Sequence, residues 1–166
     1  MRKPTAAVGS TIWFVIVSVP LAGIVPWALT RWESADLGGF AVPAWIVGGL
    51  LVLAGTPVLI RAYVQFVVEG FGTPAPVAPP EHLVVGGVYR HVRNPIYVAI
   101  LAVIVGQAIL LGRPVLLVYA AILGAGFATF VRLYEEPHLR RTFGEEYDRY
   151  HAAVPGWWPH VRPYHP

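Results

Sequence analysis

Two adjacent carboxyl side chains, Glu135 and Glu136, stand where a long apolar run meets Pro137. Paired carboxylates at membrane depth are costly unless partnered, and Arg90, Arg93 and Arg132 are the candidate partners. Local chemistry leaves two readings open. One is an interfacial ion-pair network. The other is a site for a ligand carrying hydroxyls and positive charge, with arginine addressing a carboxylate and the carboxyl groups addressing hydroxyls, an ammonium or a sulfonium.

A second polar cluster is Gly86-Gly87-Val88-Tyr89-Arg90-His91-Val92-Arg93-Asn94-Pro95-Ile96-Tyr97, set between apolar blocks. Asn is a good N-cap and Pro suits the first helical position, so Asn94-Pro95 reads as the start of a helix. Other chemistries fare badly. The chain has no Cys, which removes disulfides, thiolate nucleophiles and thiolate metal sites. His82, His91, His138, His151, His160 and His165 show no helical pair spacing with a third carboxylate ligand, so no metal is expected. The serines, Ser10, Ser18 and Ser34, lie far along the chain from the histidines, and no phosphate-binding Gly-Lys loop or strand–helix alternation occurs.

The elements that must position these residues are apolar. Of 166 residues, 56% are hydrophobic and 13% charged, and mean hydropathy is +0.59. Runs near twenty apolar residues read as membrane spans, and six Trp and eight Tyr suit interfacial belts. The net charge of +3 is too small to point to nucleic acid. The expected fold is all-α: a single membrane domain over 1–166, with two N-terminal spans in 1–68. A core over 69–160 then carries a helical hairpin (95–134) and a C-terminal cap.

The first block, about Thr11 to Leu29, is longer than a signal-peptide core, and Pro20 and Pro26 should kink it. The second runs from about Pro43 to Val68, with Gly48, Gly49 and Gly55 for close packing and Arg61 either snorkelling or lining a polar cavity. Glu69 to Pro80 is Pro-rich and reads as an extended connector. Gly112-Arg113-Pro114 is a turn between antiparallel third and fourth blocks, with Gly124 and Gly126 again permitting close contact. The residue before Pro137 disfavours helix, so a break or bend near Glu136 is expected. Beyond it Leu139, Phe143, Tyr147 and Tyr150 recur at helical spacing. They form an amphipathic segment, divided at Gly144, expected to lie apolar face down on the membrane. The residues from Val154 onward should be irregular.

The cations set an orientation. With both termini cytoplasmic, Arg2, Lys3, Arg90, Arg93, Arg132, Arg140, Arg141, Arg149 and Arg162 lie inside, and Arg31 and Arg113 outside. Four spans then bring the 69–94 loop and Glu135-Glu136 to one cytoplasmic face of a bacterial-type inner membrane.

Gly87-Val88-Tyr89-Arg90-His91-Val92-Arg93-Asn94-Pro95-Ile96-Tyr97 resembles one signature of the isoprenylcysteine carboxyl methyltransferase and phospholipid methyltransferase superfamily. Glu135 to Tyr150, followed by Val154-Pro155, resembles the second, and Gly70-Phe71-Gly72 resembles a Gly-x-Gly element of the phospholipid branch. The resemblance covers about 69–160. It implies an integral-membrane methyltransferase using S-adenosylmethionine, with a lipophilic acceptor arriving from the bilayer. Carried over by motif position, Gly70, Gly72, the Glu81–Val84 segment (His82, Leu83, Val84), Tyr89, Arg93, Asn94, Pro95, Tyr97, Glu135 and Glu136 surround the cofactor. Asn94 stands where many members carry His, and an amide does not titrate near neutral pH. Arg132 is offset by one position from the arginine that contacts the acceptor in prenylcysteine enzymes, and is the candidate acceptor contact. Glu135, Glu136 and Tyr97 are the candidate proton acceptors. The acceptor could be a prenylcysteine-like carboxylate, a lipid amine, an isoprenoid or a thiol. Two readings compete with this one: a non-catalytic protein that keeps the fold to bind a lipid or partner, and a small transporter. The one-sided charge distribution speaks against transport.

Overall fold

The computed structural model describes residues 12, 14–70 and 82–165; those residues are helical or irregular, with no strand among them. The first helix, α1, is wound as two π segments, Phe14–Ser18 and Pro20–Ile24, and an α segment, Val25–Thr30. Its prolines dictate this. The Val25 N–H reaches back five residues to the Pro20 carbonyl, a π pattern in which Leu21 would need a donor from Pro26. In an α pattern Ala22 would need that same donor. Pro26 has none, so both carbonyls must be satisfied from outside the helix. Gln107 Nε2 donates to the Ala22 carbonyl at 2.7 Å and Tyr119 Oη to the Leu21 carbonyl at 3.0 Å. The kink expected from the prolines is thus a wider winding, pinned by two polar side chains.

Helix α2 spans Ala41–Gly70, α3 spans Pro95–Leu111 and α4 spans Pro114–Phe130. Helices α2 and α3 cross at glycine: a Cβ on Gly48 would lie 2.6 Å from the Gly106 carbonyl oxygen, and one on Gly106 would lie 2.8 Å from that of Gly48. Gly55 fits against Val103 and Ala99, whereas Gly49 and Gly126 face open space. Behind the crossing lies a core of Leu59, Tyr63, Ala99, Ile100, Ile104, Leu111, Leu116 and Ala120.

Gly38–Phe66 and Pro114–Phe143 are long and apolar enough to cross a membrane, and Ile16–Thr30 and Pro95–Leu111 are shorter apolar helices beside them. Only 17% of each long apolar window is buried. The core helix of a soluble protein would be mostly buried, and large apolar side chains such as Leu53, Ile122 and Leu133 are more than two-thirds exposed. Such a surface suits lipid.

The two ends of the bundle differ. At one end Ala35 N–H donates to the Leu111 carbonyl, and Arg113 reaches the Glu33 carbonyl and carboxylate. The other end gathers a 3₁₀ turn, Gly87–Arg90, the continuation of α4, and the C-terminal segment.

The break or bend expected near Glu136 takes the form of a change in winding, with no interruption of the helix. A π segment, Val131–Glu135, follows α4 and runs directly into α5, Glu136–Phe143, with Glu136 in helical geometry. The five-residue reach of the Glu136 N–H to the Val131 carbonyl restarts the helix so that Pro137 falls in a first turn, where it is tolerated. Gly144, at φ +52°, does divide α5 from α6, Glu145–Ala153. Part of the amphipathic face expected to lie on the membrane is turned into the protein instead. Tyr147, Tyr150 and Val154 are buried against Leu83, Val85, Leu139, Phe143 and Tyr164, because the 82–94 loop offers them an apolar surface within the protein. Residues 154–165 contain no helix, as expected.

Candidate functional site

The polar loop is fixed first by its glycines. The Gly86 N–H donates to Glu69 Oε2 at 2.8 Å, and Glu69 also accepts from Gln65, one turn back on α2. A Cβ on Gly86 would fall 1.8 Å from Glu69 Oε1, and Gly87 adopts φ +53°, a region that favours glycine. The pair therefore lets the chain turn while touching the end of α2. Tyr89 then inserts, 5% exposed, beside Phe66.

The C-terminal segment locks the loop from above. The carbonyls of Pro155 and Gly156 accept the N–H groups of Arg93 and Asn94, the His160 N–H donates to the His91 carbonyl, and the Tyr164 N–H donates to that of Arg90. Tyr150 Oη donates to the Tyr89 carbonyl at 2.7 Å. This corrects the expected role of Asn94. It occupies the N-cap position of α3 but makes no side-chain cap bond, since the tail carbonyls hold the backbone there. Its amide is left for the interior.

Arg93 organises the carboxyl groups. Its Nη1 donates to Glu136 Oε1 at 2.8 Å and to Tyr147 Oη at 3.2 Å, and its Nε to the Val154 carbonyl at 2.9 Å. His151 Nε2 lies 3.4 Å from the same Glu136 oxygen. Glu135 takes a different partner: Tyr97 Oη donates to it at 2.5 Å, and the Tyr97 ring stacks on Phe127 with centroids 4.4 Å apart. Of the three arginines proposed as partners, the structure uses Arg93. The wider winding of the π segment narrows the angle between successive side chains, and both carboxyl groups face the same space.

That space is a cavity of about 430 Å³, the size range of small-molecule sites. Leu83, Val84, Tyr89, Arg93, Asn94, Pro95, Tyr97, Glu135 and Glu136 line it, together with Tyr63, Phe66, Tyr134, His138, Tyr147 and Tyr150. Two of its polar atoms, Tyr89 Oη and Asn94 Nδ2, are buried with no hydrogen-bond partner. Such orphans are rare in folded proteins and call for a ligand or water. Burial, above all, raises the Tyr89 hydroxyl far beyond the ordinary tyrosine range, and also raises those of Tyr147 and Tyr150. These phenols therefore remain hydrogen-bond donors at neutral pH. Among the described residues no group of three metal-ligating side chains occurs.

Not every candidate reaches the cavity. Arg132 is exposed on the π segment and does not line it. His82 is exposed and does not line it, and Gly70 is the last residue of α2. Gly72 and Glu81 lie outside the described residues. Arg61 is exposed, as a snorkelling side chain would be. Sequence reasoning missed Tyr63, Tyr134 and His138. A phenol hydroxyl inside an apolar span was the available signal for Tyr63. It saw the helical face of Tyr147 and Tyr150 but gave it the wrong neighbour.

The phospholipid methyltransferase family model matches residues 41–146. The chain belongs to this family. The match runs from the start of α2 into α6, and so holds the polar loop and both carboxyl groups. Helix α1, Tyr147, Tyr150 and the tail lie beyond it. No curated protein and no solved structure matches the chain. Membership in the phospholipid methyltransferase family implies a membrane-associated methyltransferase, in accord with the two spanning-length helices.

Proposed function

We propose that this phospholipid methyltransferase family member transfers a methyl group from S-adenosylmethionine to a lipophilic acceptor. The carrying observation is the pair of orphaned buried atoms, Tyr89 Oη and Asn94 Nδ2, in a cavity that also presents the Tyr97-bound carboxyl of Glu135. A nucleoside-bearing sulfonium compound fits this donor set. Its ring nitrogens and hydroxyls would complete Tyr89, Asn94 and Glu135, and aromatic faces would meet its cationic centre. When bound, S-adenosylmethionine supplies a methyl group already activated by its sulfonium.

The residues are then left with binding, orientation and exclusion of water. Tyr97 holds Glu135 in place, and Arg93 holds Glu136, Tyr147 and the tail. Because Glu136 is committed to Arg93, the Glu135–Tyr97 pair is the better candidate to take a proton from an acceptor that must lose one. A carboxylate acceptor is disfavoured, since Arg93 is already engaged and Arg132 lies outside the cavity. We place four spans in the membrane, with the polar loop and both termini on the cytoplasmic side.

Binding of S-adenosylhomocysteine to the purified, detergent-solubilised chain tests the proposal. At about 100 times its dissociation constant, a ligand bound only by the folded state adds ~2.7 kcal/mol, visible as a raised thermal midpoint. No shift at millimolar concentration with either S-adenosylhomocysteine or S-adenosylmethionine would overturn the proposal in favour of a non-catalytic binding protein.

A further inference from the structure

The Glu136 carboxylate is held from two elements at one oxygen. Arg93 Nη1, from the polar loop, donates to Oε1 at 2.8 Å, and His151 Nε2, from α6, lies 3.4 Å from the same atom. The side chains of Arg93, Glu136 and His151 are 13%, 22% and 32% exposed, so this is not an open surface pair. The His151 ring is tilted against that of Tyr147, with centroids 5.7 Å apart. Tyr147 is buried and accepts a bond from Arg93. The other charges nearby are already engaged: Arg140, over the Tyr147 ring, is paired with Asp148, and Glu135 accepts from Tyr97. Arg93 and Glu136 line the cavity and His151 does not, so His151 touches the lining from outside it. It also lies beyond residues 41–146, which the family model matches.

We propose that His151 is a positioning residue: it fixes Glu136 to receive the ammonium group at the amino-acid end of S-adenosylmethionine. The inference rests on the methyltransferase reading and deepens it. In that reading the nucleoside completes Tyr89, Asn94 and Glu135, and the ligand's ammonium still needs a carboxylate. Glu136 is the remaining carboxyl group among the described lining residues. A carboxylate offers two oxygens with about four acceptor positions. Both described contacts of Glu136 fall on Oε1, which leaves Oε2 for the ammonium. One donor would let the carboxylate pivot about a single bond. Two donors from different elements decide which oxygen turns to the wall and which to the cavity. The hold also depends on the charge of the imidazole. With His151 neutral, Arg93 and Glu136 cancel, and an ammonium meets no net charge of its own sign. An imidazole gains its proton in the range between pH 8 and pH 5. With His151 protonated the cluster carries a net positive charge, which repels an ammonium in a water-poor site. A nucleoside without an ammonium group registers neither effect.

The test measures the affinity of the full chain in lipid nanodiscs for two probes, S-adenosylhomocysteine and methylthioadenosine, at pH 8.0 and pH 5.5. The first carries the ammonium; the second has the same nucleoside and a thioether without it. The parent should bind S-adenosylhomocysteine about fivefold more weakly at pH 5.5, the scale of one added charge several ångströms away in a partly screened site, and methylthioadenosine within about twofold. H151Q keeps an N–H donor that does not titrate. It should bind S-adenosylhomocysteine within about twofold of the parent at pH 8.0 and lose most of the pH dependence. H151A, with no donor, should bind it about threefold more weakly than the parent at pH 8.0. Methylthioadenosine should bind both variants like the parent, which also shows that they are folded. Any of three results overturns the inference: H151Q keeps the parent's pH dependence, methylthioadenosine shares that dependence, or H151A weakens the two probes alike. Failure of the parent chain to bind S-adenosylhomocysteine would instead remove the reading beneath it, and the inference with it.

Discussion

The residues of the cavity divide by whether their polar atoms are already satisfied. Glu136 and Arg93 satisfy each other, whereas Tyr89 Oη and Asn94 Nδ2 satisfy nothing. This asymmetry gives Tyr89→Phe an unusual expected signature. Removing an unsatisfied buried hydroxyl leaves no broken bond behind, so the unliganded chain should be unchanged or more stable by up to about 1 kcal/mol. Affinity for S-adenosylhomocysteine should nevertheless fall about fivefold or more. Paired thermal midpoints with and without ligand measure both effects, and a destabilised, normally binding variant would contradict the assignment. Glu135→Ala should abolish ligand binding, whereas Glu33→Ala, at the opposite end of the bundle, should not. Equal effects would remove Glu135 from the site.

At the scale of elements, close contacts rather than hydrophobicity decide the packing. Gly48 and Gly49 are neighbours of identical type, yet a Cβ at Gly48 meets the Gly106 carbonyl while one at Gly49 meets nothing within 4 Å. Gly48→Ala should therefore destabilise by about 1–3 kcal/mol through overpacking. Gly49→Ala should be neutral or stabilising by up to about 1 kcal/mol, as alanine favours helix. Thermal midpoints in detergent distinguish them. The packing of α6 on the polar loop has a pH signature. Burial raises Tyr89, Tyr147 and Tyr150 above their unfolded value near 10. The unfolded chain therefore releases these protons first as pH rises. Their contribution to stability is complete below about pH 10 and is lost above it. A thermal midpoint that is flat with respect to these groups up to pH 9.5 and falls by pH 11 is expected, with the fall smaller in Tyr147→Phe.

At the scale of the molecule, the proposed topology puts the 31–40 loop and the 82–94 loop on opposite faces. The chain has no native cysteine, so single cysteines report the sidedness without interference. Ser34 and Thr142 are both exposed. In intact cells a membrane-impermeant maleimide should label Ser34→Cys and spare Thr142→Cys until the membrane is permeabilised. The reverse pattern would invert the orientation, and labelling of both in intact cells would refute it.

What the sequence determined by itself were the properties that depend on local composition and order. Apolar run length and the scarcity of charge sufficed for a helical membrane-type bundle. The two motifs, Gly86 to Tyr97 and Glu135 to Tyr150, sufficed for the family, and the order of elements between them for a shared face. The tertiary structure decided what depends on which groups meet. Asn94 looked like a helix cap because capping is a local preference, yet carbonyls some sixty residues away took over that task and released its amide into the cavity. Pro137 pointed to a break or bend because proline restricts its neighbour, and a π turn absorbed the restriction and kept Glu135 and Glu136 together. Arg132 carried the same charge as Arg93, but only the latter faces the cavity. Ser18 and Tyr63, 45 residues apart, read as unrelated hydroxyls in apolar spans until helix packing placed them 2.9 Å from each other.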